Sequence, residues 1–313
     1  MSKDIQGYGL PASVHVLERG WLSSNNILLL GRDECALVDS GYVTHAPQTL
    51  ALIETVLQAR PGTQKLDRLI NTHLHSDHCG GNAALQAHYG CHTSIPAAEA
   101  DKVTRWDEAA LSFRATAQQC PRFAFDEVLH HGDTLQLGNL SWQALAAPGH
   151  DPHALLLYCA REGLLISADA LWHNGFGVIF PELDGSSGFA EARATLELIA
   201  GLDVRLVIPG HGAPFTDVNA ALSRAFSRLD YLQADPLRNA QNAVKVVLKF
   251  VLLERQRIAL DDVTAMMAET PVLALCNRRF FQWSEAALAQ WAMAQLIKAG
   301  AATRSATHLL NAG

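Results

Sequence analysis

The chain has 313 residues, 49% of them apolar, and a net charge of -7. That length suits one large domain with an appendage, or two domains, and the apolar share is ample for a buried core. The acidic balance argues against general binding to nucleic acid or to an anionic membrane surface, neither of which attracts a negatively charged protein. In chain order, the opening MSKDIQGYGLPAS has neither the basic start nor the apolar stretch of a secretory leader. No run approaches the roughly 18 uninterrupted apolar residues of a membrane span. The six cysteines (Cys35, Cys79, Cys91, Cys120, Cys159 and Cys276) are scattered, with no CxxC pair. Together these features predict a cytoplasmic protein with reduced thiols.

Short β-rich runs recur at 26–31, 35–41, 66–73, 141–150, 154–160, 163–169 and 204–212, and helical patterns fall at 46–59, 97–119 and 189–200. Strands alternating with helices predict an α/β layered domain whose sheets are covered by helices on their outer faces. After about Thr216 the chain turns mostly helical. Val244, Val247, Leu248, Val251 and Leu252 form the apolar stripe of an amphipathic helix. A further helix, SEAALAQWAMAQLIKAG, stops at Gly300 before the short extended tail AATRSATHLL. This order predicts two domains: 1–216, and a mostly helical, winged-helix-like C-terminal module over 217–313. The alternative is that these helices cover the core of the first domain. The tail is weakly basic, with 11 Lys and Arg against 7 Asp and Glu from Ala221 onward, and 13 against 24 before it.

The chemistry is concentrated in NTHLHSDHCGG, residues 71–81, which packs three histidines and an aspartate into six positions after an apolar run. Neutral imidazole and carboxylate are ligands that suit zinc, and also iron or manganese. Four such groups so close together cannot all serve one tetrahedral ion without strain, so His73 and His75 are assigned to one ion while Asp77 and His78 turn towards a second. Each ion then lacks ligands, and later strand ends supply three more: His150 in APGHD, Asp169 in LLISADA and His211 in VIPGHG. Singly each has an ordinary structural reading; as a set of seven in this order they point to a metal centre. A closed structural zinc site would recruit cysteine thiolates, and only Cys79 lies nearby.

With HxHxDH followed by a His, an Asp and a His, each at a strand end, the sequence resembles the metallo-β-lactamase superfamily over about residues 12–216. The resemblance implies an αβ/βα four-layer sandwich and a glyoxalase II-like dinuclear site. Carried over, His73, His75 and His150 would hold the first divalent ion, Asp77, His78 and His211 the second, and Asp169 would bridge them. Zinc is the expected metal. Asp39, closing CALVDSG, either orients a ligand imidazole or caps its own turn. Asp77 either ligates only or also orients the nucleophile and relays its proton, the catalytic role assigned to it. One departure is SAD, where many relatives have Gly before the bridging Asp; it reads as a packing detail.

Two such ions, about 3.5–4 Å apart, share a water and make hydroxide available near neutral pH. The resemblance therefore implies a metal-dependent hydrolase using a bridging hydroxide, and no GxSxG elbow competes with it. Trp172, Phe176, Ile179 and Phe180, with Trp106, Phe113, Phe123 and Phe125, offer walls for a small acyl substrate such as a thioester, ester or lactone, or else pack the core. His173 lies close enough to Asp169 to line such a pocket. The alternatives are phosphodiester cleavage, since the tail resembles that of superfamily members including an endoribonuclease, and a weak β-lactamase activity. Lys245, Lys249, Arg255, Arg257, Arg278 and Arg279 form no dense patch for RNA. A non-enzymatic role, with the tail forming a homodimer, is the third class.

Overall fold

A computed structural model describes residues 9–59 and 65–312; the first eight residues of the segment read as lacking a leader lie outside the described residues. Two sheets face each other. The first has the order β1 (Val14–Leu17), β2 (Asn26–Leu30), β3 (Cys35–Val38), β4 (Arg68–Ile70), β5 (His92–Pro96) and β6 (Glu127–Leu129), antiparallel up to β3 and parallel from there. The second contains β7 (Thr134–Leu137), β8 (Leu140–Ala146), β9 (Leu155–Cys159), β10 (Leu164–Ala168) and β11 (Leu206–Pro209), in the order β11-β10-β9-β8-β7, with β10 and β11 parallel.

The period of two along each strand sorts side chains between layers. Ile27 and Leu29 join Leu155, Leu157, Leu164, Ile166, Leu206 and Ile208 around the fully buried Trp142 between the sheets. Their neighbours Leu28 and Leu30 face outward, against Ile53 and Leu57 of the helix Ala46–Gln58. Leu156, Leu165 and Val207 likewise meet Leu196 and Ile199 of Phe189–Ala200 on the other side. Helix, sheet, sheet, helix is thus the observed layering. Strands buried on both faces explain why their sequences read as unbroken apolar runs.

The predicted helical stretch 97–119 is mostly something else. A 3₁₀ turn at Ala97–Glu99 and the helix Ala100–Arg105 end at Trp106, whose φ is +54°, and turns follow. The reason is packing: Trp106, Phe113, Phe123 and Phe125 gather in a local cluster with Leu74, Ile95 and Val103, which a straight helix could not supply.

Beyond β11 the helix Val218–Gln233 lies in the outer layer of the second sheet, with Ala221, Leu222 and Leu229 in that layer's core. The helices Leu237–Arg255, Leu260–Glu269, Pro271–Cys276 and Glu285–Lys298 surround a separate core. The stripe Val244, Val247, Leu248, Val251 and Leu252 supplies one side of it, and Met267, Leu273, Leu288 and Leu309 the other. The Ser284 hydroxyl caps the last helix, and the extended tail pairs as β13 (Ala302–Arg304) with β14 (His308–Asn311), beside β12 (Arg257–Ala259). Val178 and Leu183, from the loop after β10, insert into this same core.

Candidate metal centre

All seven predicted ligands lie together in loops leaving the C-terminal ends of β4, β8, β10 and β11. They form two groups, His73, His75 and His150, and Asp77, His78, Asp169 and His211, whose ligand atoms lie within 4.8 Å of one another inside each group. After β4 the extended chain carries His73 and His75, and the single turn of helix Ser76–Cys79 then rotates Asp77 and His78 to the other side. That turn explains how one short motif serves two groups.

In the first group three nitrogens converge. His75 Nδ1 lies 3.1 Å from His73 Nε2 and 2.8 Å from His150 Nε2. The far sides of the rings are held too: His73 Nδ1 sits 3.2 Å from Thr72 Oγ1, His150 Nδ1 donates to Val178 O at 2.5 Å, and His75 Nε2 lies 3.8 Å from Asp151. Gly177 permits this, because a Cβ there would overlap the His150 imidazole. Burial, and after it the neighbouring imidazoles, holds His73 well below the ordinary histidine value and His150 at about 4.

The second group is anionic. His211 Nε2 meets Asp77 Oδ2 at 3.0 Å, and His78 Nε2 faces Asp169 Oδ1 at 3.4 Å and Asp77 Oδ2 at 3.8 Å. Burial alone would lower His78, but the carboxylates of Asp39, Asp169 and Asp77 outweigh it and hold His78 well above its ordinary value. Burial likewise opposes ionisation of Asp169, and His78 and His211 overcome it, keeping that carboxyl well below the usual range. Asp169 faces both groups: Oδ2 lies 3.4 Å from His150 Nε2, while Oδ1 is turned to His78 and His211.

The donors fit a cation. His78 Nε2 is buried and has no hydrogen-bond partner although it points between two carboxylates, and three imidazole nitrogens abut in the first group with too few protons to bond them all. A positive ion between the donors satisfies both sets.

Asp39 is more than a turn cap. Its Oδ2 accepts from His78 Nδ1 at 2.8 Å and from Thr72 Oγ1 at 2.7 Å, and its Oδ1 accepts from Thr72 N at 2.9 Å. Ala168 differs from its reading as a packing detail: its φ is +45°, at a shift of register between β10 and β11, so the residue before Asp169 adopts backbone that glycine takes without strain.

Of the aromatics, Phe180 lies against His75 and His150, and Trp172 Nε1 donates to Asp169 Oδ1 at 3.2 Å. Phe176 and Ile179 belong to the core of the second sheet. His173 pairs instead with Asp217 on the surface. The sequence reading missed Trp21, 59% exposed, whose ring stacks on His211 at 5.3 Å and meets Trp172 at 5.4 Å. It also missed Asp151 beside His75, and Glu99 and Lys102 in the lining of the adjoining cavity; only Asp151, adjacent to His150, carried any signal.

A doubly covered pair of mixed sheets with this His and Asp constellation at one end defines the class. Residues 19–211 match the model of the Metallo-beta-lactamase superfamily, and the chain belongs to that superfamily. It is 30% identical over 169 residues to a hydroxyacylglutathione hydrolase of Chelativorans sp. (strain BNC1), covering 52% of this chain and 55% of that protein. A hydroxyacylglutathione hydrolase of Brucella anthropi is 25% identical over 270 residues, covering 81% and 85%. The match thus spans little more than half the length of the first of these relatives. Among solved structures, a beta-lactamase domain protein from Burkholderia ambifaria superposes with a TM-score of 0.59 at 20% identity, covering 96% of this chain and 93% of that one. A metallo-beta-lactamase family protein from Thermus thermophilus gives 0.56 at 17%, covering 96% and 99%. TTHA1623, solved in a di-iron-bound form, gives 0.54 at 25%, covering 68% and 98%.

Proposed function

We propose that the chain is a dinuclear, zinc-dependent hydrolase that cleaves a small acyl substrate, a thioester, ester or lactone. His73, His75 and His150 would hold one ion, Asp77, His78 and His211 the other, and Asp169 both. The observation that carries this reading is the two-sided placement of Asp169, each oxygen turned to a different ligand group. The names of the hydroxyacylglutathione hydrolases above support a thioester, and the di-iron form of TTHA1623 keeps iron beside zinc as a candidate.

When bound, two divalent cations supply an activated water and polarise an acyl oxygen. The protein's own groups then have defined tasks. Asp39 fixes the His78 ring through Nδ1 and the Val178 carbonyl does the same for His150, while Asp151 faces His75 Nε2 at 3.8 Å. Burial by itself would raise the Asp77 pKa, but His78 and His211 hold it below the ordinary carboxylate value, so it stays ionised and would orient the nucleophile as an acceptor. Trp21 and Trp172 shield the second group from solvent on one side.

The domain reading, 1–216 with an appended winged-helix-like module over 217–313, belongs to this proposal. So does a cytoplasmic setting, supported by Cys79, Cys91, Cys120, Cys159 and Cys276 standing as buried free thiols. Phosphodiester cleavage has less support. Lys249 is bound to Ala301 O and Asn311, and Arg279 to Leu183 O, so two of the tail's cations serve the fold.

The test is metal analysis joined to an activity screen over thioester, ester, lactone, β-lactam and phosphodiester substrates. About two ions per chain are expected. Asp169→Ala is expected to lower both metal content and kcat/KM, the latter by at least about 10²-fold. Full metal content with no turnover on any of these substrates would overturn the reading.

A further inference from the structure

A cavity of about 440 Å³ opens beside His75 and His150 and extends away from Asp169 towards the helix Pro271–Cys276. Its apolar wall is formed by Leu74, Leu111, Ala115, Leu183, Val272 and Leu275, with hydroxyl and charged side chains completing the lining, and Phe180 stands where it meets the two histidines. Three separate stretches are tied together to form it. Val272 N donates to Ala115 O at 3.0 Å, and Arg279 Nη1 donates to Leu183 O at 3.0 Å. The C-terminal region therefore supplies one wall of a space that the ligand loops leave open.

Charge around this cavity selects against anions. Among the described lining residues, Lys102 is the one lysine or arginine, and its ammonium is already bonded to Glu99 at 2.9 Å. Glu99 also has His153 at 3.7 Å, while Asp151 and Asp184 add negative charge to the lining. A substrate arm bearing carboxylates or phosphates finds no spare countercharge there, whereas a neutral hydrocarbon chain needs none and removes the apolar part of the wall from water.

We propose that this cavity binds the aliphatic acyl chain of the substrate, about eight to ten carbons long, with its carbonyl at His75 and His150. A methylene takes up about as much space as a water molecule, roughly 30 Å³, so such a chain fills between half and three quarters of the volume. The inference rests on the hydrolase reading and narrows it to medium-chain acyl esters or thioesters, away from polar acyl groups. The reaction is a plain hydrolysis. Water oxygen joins the acyl carbon, the carbon–sulfur or carbon–oxygen bond breaks, and the departing thiol or alcohol takes the proton.

The test separates binding from turnover. Primary alcohols of increasing length, which are uncharged and inert to hydrolysis, are titrated calorimetrically into the intact protein. Affinity is expected to rise about fourfold per methylene, equivalent to about 0.8 kcal/mol, and to level off at about eight to ten carbons. Ala115→Phe is expected to move that plateau to shorter chains, and Val272→Phe, from the C-terminal stretch bonded to it, to do the same if the first variant does not fold. In parallel, kcat/KM across acyl thioesters of about two to about twelve carbons, a series that brackets the proposed length, should follow the same slope up to that plateau. Affinity independent of length, or a plateau unmoved in both variants, overturns the proposal. Hydrolysis that favours short polar acyl groups with no such slope overturns it too and leaves the hydrolase reading standing. Length-dependent binding without hydrolysis of any ester or thioester keeps the chain site and removes the reaction.

Discussion

The two ligand groups draw on the same loop after β4 yet rest on opposite electrostatics. His73, His75 and His150 are three imidazoles, one partly exposed towards the cavity, and burial keeps His73 and His150 neutral without help from an ion. The group of Asp77, His78, Asp169 and His211 is buried throughout and carries two carboxylates, with a third, Asp39, behind His78. His73 and His150 offer lone pairs that are free of protons near neutrality; the second group offers charge. On the proposed two-ion reading such a site does not need identical halves: one half would bind by donor geometry and the other by attraction, with Asp169 facing both.

Asp39→Asn strikes at that difference. The Asp39 carboxylate touches His78 and the Thr72 backbone but no residue of the imidazole group except through Thr72. Removing its charge is expected to weaken the ion held by the second group about 10- to 100-fold, with a much smaller effect on the first. A chelator competition that resolves two ions measures this, and an equal loss at both would mean that the groups are not electrostatically distinct.

Acid provides a second probe, applied to protein stripped with a chelator. Histidine in the unfolded chain titrates near 6.5 and His150 in the folded chain near 4, so between those values the unfolded chain takes up a proton that the folded one refuses. Stability is therefore fully present above 6.5 and is lost as pH falls towards about 4, with His73 acting in the same sense. His78, held high, is protonated in both states across this window, and Asp77 and Asp169 act only nearer 3.8 and below. Urea midpoints that stay level from 6.5 to 4 would contradict the buried, neutral character of the imidazole group.

The smallest expected effect is Ala168→Gly. A left-handed backbone costs an alanine about 1–2 kcal/mol, and the added freedom of glycine returns about 0.5–1 kcal/mol of that. A gain of up to about 1.5 kcal/mol in unfolding free energy should follow, read from denaturant melts. A loss would show that the Ala168 methyl packs usefully beside Asp169.

Much of this architecture is legible in the chain because the candidate ligands lie in loops that leave apolar runs. NILLL, CALV, LLLYC, LLISA and LVIP are buried on both faces, so apolar content and length mark them; Asp169 and His211 fall just past two of these, and His150 just past β8, whose burial alternates. β1, β5, β6 and β7 escaped because they are short and partly polar, with burial alternating or broken along β1, β6 and β7. Asp39 stayed ambiguous for a different reason: its partner His78 is 39 positions away, and only folding brings them to 2.8 Å. The cavity was illegible altogether, since Leu74, Ala115, Leu183 and Val272 share no local pattern. Trp21 looks like any loop tryptophan until its ring is seen lying on His211.

The loop after β10 ties the ligand histidines to the far end of the chain. Val178 puts its side chain among the C-terminal helices while its carbonyl receives the His150 ring, and Asn239 grips the next carbonyl, that of Ile179, at 2.8 Å. One peptide thus acts as a lever between two bodies of packing. Any sequence change that re-seats the C-terminal helices will be felt as a tilt of one imidazole far upstream in the chain, so the tail bears on the chemistry without touching a reacting atom.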